Sequence, residues 1–328
     1  MRLSAVVLMV AWTWTTGERV QQTPTFRNRV ELAVVDLLAT SPDGTPVGGL
    51  TASELRLTID GKPREIESLQ FVNTGGTAAP RNSTLPAAAP AFTDGRRFVV
   101  VVNHESIAPG QERPVIDAAT RFVARLGAND EVAVVTLPRG RIESNFTRLR
   151  AQTVAALRRV SGHAPPMRDV RCADVKALRT FADGLRLDTL ASLVLVSEEV
   201  SNADTDPQCR GDFEDLVRML NRRQTRVFAI RPAPQQNTAM RSASVTPDSP
   251  RDLPGLSALA TMTGGQYFAP SGMVDPVFET IDRTTSAYYL LAFAPTDKEL
   301  KGSPHTINVT TTHPGTTIRS RFEFQIGK

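Results

Sequence analysis

Cysteine is nearly absent from this 328-residue chain: Cys172 and Cys209 stand alone, beside four histidines. Two cysteines so far apart, with so few imidazoles, make no zinc motif. Phosphate cradles are missing as well. No Gly-x-Gly-x-x-Gly follows a strand, and Gly264-Gly265 lacks the Lys-Ser/Thr of a phosphate-binding loop. Nor is there a Gly-x-Ser-x-Gly nucleophile elbow. After the N-terminal stretch, no segment reaches about 18 uninterrupted apolar residues, so no transmembrane segment is expected in the mature chain. Charge of one sign is scarce: a formal +4, spread along the chain, is weak support for nucleic acid, and no such partner is expected. Arg158-Arg159 and Arg222-Arg223 read as cations complementing helix ends.

What is present is ordinary globular composition, 41% hydrophobic and 22% charged, enough for two cores. Met1-Arg2-Leu3 opens onto an apolar run from Ser4 to Trp14, too short to span a bilayer, and Thr15-Thr16-Gly17 supplies the small residues that signal peptidase prefers. Residues 1–17 are expected to be a signal peptide and the mature chain to be secreted or periplasmic. No Cys follows the small residues, which argues against a lipid anchor. In an exported protein, Cys172 and Cys209 form one disulfide or stay as two small buried thiols.

Residues 26–72 read as β structure, with Asp60-Gly61 as a hairpin turn after the alternating Leu55-Arg56-Leu57-Thr58-Ile59. Residues 73–95, rich in Gly, Ala, Pro, Thr and Ser, read as a linker. From 96 to 286 strands alternate with amphipathic helices, the pattern of a doubly wound, mostly parallel α/β sheet covered on both faces. The strands are Arg97–Asn103, Glu131–Thr136, Ser192–Val196 and Thr225–Ile230, and the stretch from Pro232 to Asp252 is a long polar loop. Residues 287–326 return to strand character. Because the N-terminal β segment is too small for a core of its own, both terminal segments are expected to form one β-sandwich, with the α/β domain inserted between them.

Two fully apolar runs stop abruptly in polar clusters, Val99-Val100-Val101-Val102 in Asn103-His104-Glu105-Ser106 and Leu193-Val194-Leu195-Val196 in Ser197-Glu198-Glu199. In an open α/β sheet, ligands sit at such strand ends. Adjacent His104, Glu105 and Ser106 do not make a catalytic triad, because triads are assembled from separate segments. The simpler reading is a strand-to-loop turn in which Ser106 or Glu105 bonds backbone amides. No catalytic residue is assigned.

Several phrases, in order from about residue 26 to 325, resemble the bacterial secreted VWFA-related domain proteins. They are Phe26-Arg27-Asn28-Arg29-Val30-Glu31-Leu32, Gly49-Leu50-Thr51-Ala52-Ser53-Glu54-Leu55, Asp60-Gly61-Lys62-Pro63-Arg64-Glu65-Ile66, Leu259-Ala260-Thr261-Met262-Thr263-Gly264-Gly265 and Tyr288-Tyr289-Leu290-Leu291-Ala292-Phe293-Ala294-Pro295. The resemblance implies a von Willebrand A-like domain with a metal-ion-dependent adhesion site, whose pattern is Asp-x-Ser-x-Ser, a loop Thr and a later Asp. Here Asn103 stands for the Asp, Glu105 and Ile107 for the two Ser, Ser197-Glu198-Glu199 for Thr-Asp-Gly, and Thr147 matches the loop Thr. Ile107 offers no side-chain oxygen and Asn103 only a neutral one, so the site is expected to be degenerate and no cofactor is expected. Were Mg²⁺ or Mn²⁺ held, Glu105, Thr147 and Glu198 would be its ligands. Asn103, Glu105, Thr147, Ser197 and Glu198 are the candidate ligand-facing positions. The function expected is a non-enzymatic protein-binding module that meets a protein or envelope partner. The alternative is a structural or assembly protein of the envelope acting through its β-sandwich.

Overall fold

A computed structural model describes residues 32–74, 95–163, 172–184, 190–202, 206–232 and 253–326. The expected signal peptide, nearly all of the expected linker and the polar stretch from 233 to 252 lie outside them.

The N-terminal segment forms β1 (Ala33–Thr40), β2 (Leu55–Ile59), β3 (Lys62–Arg64) and β4 (Ser68–Asn73). Leu55, Leu57 and Ile59 are buried while Arg56 and Thr58 are not, the period of a strand with one wet face. Asp60 and Gly61 both take positive φ, 49° and 74°, as a two-residue hairpin turn between paired strands requires.

The valine-rich run becomes β5 (Arg97–Asn103), buried on both faces. Around it lie β6 (Glu131–Leu137), β7 (Arg141–Thr147), β8 (Ala191–Val196), β9 (Thr225–Ile230) and β10 (Gln266–Phe268), in the order β10-β9-β8-β5-β6-β7. All pairs are parallel except β6 with β7. Phe98, Val100 and Val102 pack against α1 (Arg113–Arg125), α2 (Arg150–Arg159) and α6 (Asp275–Thr284). Val99 and Val101 pack against α3 (Ala173–Gly184), α4 (Arg210–Arg222) and α5 (Gly255–Met262) on the other face. The sheet is doubly wound.

Strand β7 is a correction to the sequence reading, whose strands for this domain do not include it. Its register with β6 shifts twice, between Val132 and Val134 and between Val134 and Val135, and such irregularities blur the period-two pattern that would have marked a strand.

The C-terminal residues form β11 (Ala287–Phe293), β12 (His305–Thr311), β13 (Thr317–Ser320) and β14 (Glu323–Phe324). They pair antiparallel with the N-terminal strands in two sheets, β13-β1-β11-β4 and β14-β12-β2-β3, so both ends of the chain share both layers of a sandwich. The stretch Thr317 to Phe324 reads as one strand in the sequence but is two. The chain leaves one sheet after Ser320 and enters the other at Glu323, and between them Arg321 pairs with Thr263 and the Phe322 amide donates to Met262 O.

Every residue of β11 is buried, because this strand faces two cores. Tyr288 and Leu290 join the α/β core while Tyr289, Leu291 and Phe293 fill the sandwich. That explains an apolar run without alternation. The Tyr289 hydroxyl donates to Val47 O and accepts from Leu50 N, both at 3.0 Å, pinning the loop after β1. Tyr289→Phe is expected to cost about 1–3 kcal/mol, because it orphans a buried amide and a carbonyl; urea unfolding checks this, and a cost near zero would mean that water replaces the hydroxyl.

Candidate functional site

Strands β5 and β8 run side by side and end together, which places Asn103 and Ser197 across one crevice. The backbone after β5 winds into a short 3-10 turn over His104–Ser106, and this turn decides which side chains enter. Ser106, not Glu105, points into the crevice. Its hydroxyl donates to Asn103 O at 2.7 Å and accepts from Glu198 N at 3.1 Å. The Asn103 amide donates to Ser197 Oγ at 3.0 Å, and Ser197 Oγ donates to Glu199 O at 2.7 Å. Asn103, Ser106 and Ser197 are 2%, 7% and 0% exposed. Each hydroxyl donates its one proton to a carbonyl and also accepts an amide N–H, so both are engaged within the set and its flanking main chain, which is closed on itself in that sense.

The five sequence-predicted positions therefore divide. Asn103 and Ser197 meet. Glu198 contributes its main-chain amide to the crevice, while its carboxylate lies 3.5 Å from Arg231 Nε. Glu105 lines a neighbouring cleft on the β6 side. Thr147 is not brought to the rim at all, which corrects its match to the loop Thr. It pairs with Val132, whereas Asn103 pairs with Leu137, five residues further along β6 or about 17 Å at strand spacing. The β6–β7 hairpin reverses the chain and carries Thr147 to the opposite end of the sheet, where its hydroxyl accepts from Leu149 N at 3.0 Å ahead of α2.

Cys172 and Cys209 are joined in a disulfide, tying the start of α3 to the start of α4. Beside it the Asp174 carboxylate accepts from Ser201 N at 2.7 Å and Ser201 Oγ at 3.0 Å, which fixes the loop after β8. Among the described residues, Cys172, Asp206 and Cys209 are the one group of three His, Cys, Asp or Glu side chains near enough to share a cation, and its sulfurs are bonded to each other.

The cleft beside Glu105 went unforeseen in the sequence. The segment after α2 returns to the rim turn: His163 N donates to His104 O at 2.8 Å, and the two imidazole rings meet edge-on, 5.0 Å apart. Gly162 permits this approach, because a Cβ there would stand 2.5 Å from Ile107 O. Burial lowers the His104 pKa below its ordinary value, and the neighbouring His163 lowers it further. His163 reads as an isolated surface residue until the fold brings it to His104.

Fold and rim together define a doubly wound α/β layer, joined to a two-ended β-sandwich, with a closed polar set at the carboxyl ends of β5 and β8. No protein-family model matches the chain, and no curated protein matches it. Among solved structures it is similar to an aerotolerance-related membrane protein from Bacteroides fragilis carrying multiple mutations to serine, at 9% identity and a TM-score of 0.43, covering 58% of this chain and 98% of that one. It is also similar to the conserved hypothetical protein BatB from Bacteroides thetaiotaomicron, at 11% identity and a TM-score of 0.40, covering 58% and 98%. The VWA domain of SpRpn10 follows at 7% identity and a TM-score of 0.37, covering 60% and 97%.

Proposed function

We propose that the chain is an exported, non-enzymatic protein-binding module of the von Willebrand A-like kind, with a degenerate metal-ion-dependent adhesion site, whose rim meets a protein or envelope partner by direct contact. The observation that carries this reading is the closed set Asn103, Ser106 and Ser197. A hard divalent cation takes six or more oxygens with carboxylates among them. Here an amide and two hydroxyls are engaged with one another and with main-chain groups. This donor set does not fit Mg²⁺ or Mn²⁺. Nor does it suit nucleophilic catalysis, since the Ser106 hydroxyl bonds main-chain groups while the His104 ring lies against His163. Export is supported by the disulfide, which persists in oxidising compartments. Among the described residues no helix is long and apolar enough to cross a membrane.

Calorimetric titration with Mg²⁺ and with Mn²⁺ is expected to give no heat and no change in melting temperature; a saturable heat would overturn the degenerate-site reading. Crosslinking capture from an envelope extract tests the rim itself. Pro109→Arg with Glu199→Arg, both exposed beside the crevice, is expected to abolish capture, while Lys62→Glu with Glu65→Lys on the sandwich leaves it intact. The reverse pattern would transfer the binding role to the sandwich and favour an envelope assembly protein.

A further inference from the structure

The cleft beside the rim turn has a volume of about 340 Å³ and walls from three separate elements: His104 and Glu105 from the turn after β5, Arg139, Arg141 and Glu143 from the β6–β7 hairpin, and Arg159 and His163 around the end of α2. Glu143 sits in its floor with a side chain only 9% exposed. Arg141 Nε lies 3.1 Å and Arg159 Nε 3.9 Å from its carboxylate, and Thr136 Oγ1 donates to it at 3.4 Å. One buried carboxylate thus orients two guanidiniums from different elements, each with five N–H groups and most of its side chain, 76% and 58%, still exposed. Arg139 adds a third cation at the hairpin turn.

We propose that this cleft is a carboxylate-binding site that takes an acidic segment of the protein partner. The proposal rests on the rim's binding role given above and names the chemistry it selects. Three guanidiniums face two carboxylates, one of which is already shared by two of the arginines, so the cleft carries surplus positive charge. Phosphate is the less suited anion. Guanidiniums take phosphate as well as carboxylate, but phosphate sites also draw on nests of free main-chain amides, and here the amides of Ile107 and His163 both donate to His104 O. Planar forks on two facing elements, the hairpin and the end of α2, match planar carboxylates presented in succession along a peptide. The walls are also held in place, by the His163–His104 main-chain bond and by the close approach of Gly162 to Ile107.

Fluorescence anisotropy with the full chain and a labelled hexaglutamate peptide at low ionic strength tests this, with hexalysine and inorganic phosphate as further arms. Hexaglutamate is expected to bind, hexalysine not to, and phosphate not to compete at equal concentration. Arg139→Ala with Arg159→Ala should weaken the peptide at least tenfold, whereas Arg158→Ala, exposed on the same helix end but outside the cleft, should leave it unchanged. Equal weakening by Arg158→Ala would mean diffuse attraction and overturn the site, as would an unaffected double variant. Phosphate binding without peptide binding would overturn the partner class. If hexaglutamate fails while Pro109→Arg with Glu199→Arg still abolishes envelope capture, the cleft assignment falls and the rim reading stands; if neither responds, both fall.

Discussion

Asp36→Ala is expected to destabilise the protein by about 3–5 kcal/mol, a loss read by urea or thermal unfolding. Asp36, on β1, is 4% exposed and lies between two buried arginines, Arg226 at the start of β9 and Arg321 between β13 and β14. Its two carboxylate oxygens each take one guanidinium, and Arg321 also donates to Asn221 O at 2.8 Å. Arg226 further sits 5.7 Å from the centre of the Tyr288 ring. Burial pulls both guanidiniums down to about 10, which leaves them charged at neutral pH. Removing the carboxylate strands two buried positive charges in the seam between sandwich and α/β layer. The pair energies themselves are not the source of the loss. A buried ion cluster contributes little against an apolar replacement of similar volume, so Asp36→Leu with Arg226→Met and Arg321→Met is expected to recover most of the stability that Asp36→Ala loses. A single-variant loss below about 1 kcal/mol would show that the seam admits water.

Gly265→Ala carries the second large effect, about 3 kcal/mol or more. A Cβ at this position would stand 2.0 Å from Val227 O, a main-chain atom inside the parallel sheet that cannot swing aside. Its neighbours lock the same corner. Thr263 Oγ1 accepts from Val227 N at 3.1 Å and donates to Leu259 O at 2.8 Å, and Gly265 N donates to Ala260 O at 2.9 Å. Gly264, at φ 76°, lies against the backbone of Ser320 and Arg321. The Thr-Gly-Gly phrase therefore makes the joint where α5, β9 and the sheet-switching C-terminal segment touch. Gly272→Ala is the matched control, since a Cβ there meets nothing within 4 Å, and it should change stability by less than about 0.5 kcal/mol. Equal midpoints for the two variants in urea would show that the corner relaxes around a methyl group.

Much of the architecture was legible because it follows from periodicities the backbone imposes. A continuous apolar run such as Phe98 to Val102 has no wet face, so it belongs in the middle of a covered sheet. Phe213, Leu216, Val217 and Leu220 repeat at helical spacing, and all four are buried in α4. The sharing of sheets by the two chain ends followed from an N-terminal β segment too small for a core of its own. Harder to read were elements whose pattern is interrupted by geometry. Strand β7 hides behind register shifts, and the Thr317 to Phe324 run conceals a change of sheet at Arg321.

The site was less legible than the fold. Matching Asn103, Glu105 and Ile107 to a linear motif says nothing of the path after β5, where a 3-10 turn sends Ser106 inward and Glu105 to the neighbouring cleft. The reading of Ser106 or Glu105 as a group bonding backbone amides was the better guide for Ser106, although the amide it accepts from is that of Glu198 across the crevice and its local partner is the Asn103 carbonyl.

By itself the sequence determined which segments are strands with two buried faces, which are helices with one, where the hairpin at Asp60-Gly61 turns, and that polar residues end the two central strands. These are local matters of period and of turn chemistry, settled by neighbours along the chain. Only the tertiary structure decided that Thr147 lies at the far end of the sheet, that Asp36 meets Arg226 and Arg321 in a buried seam, and that three arginines and two histidines line one cleft. Each depends on which way a hairpin points or on residues up to 285 positions apart in the chain, and burial and charge act through space.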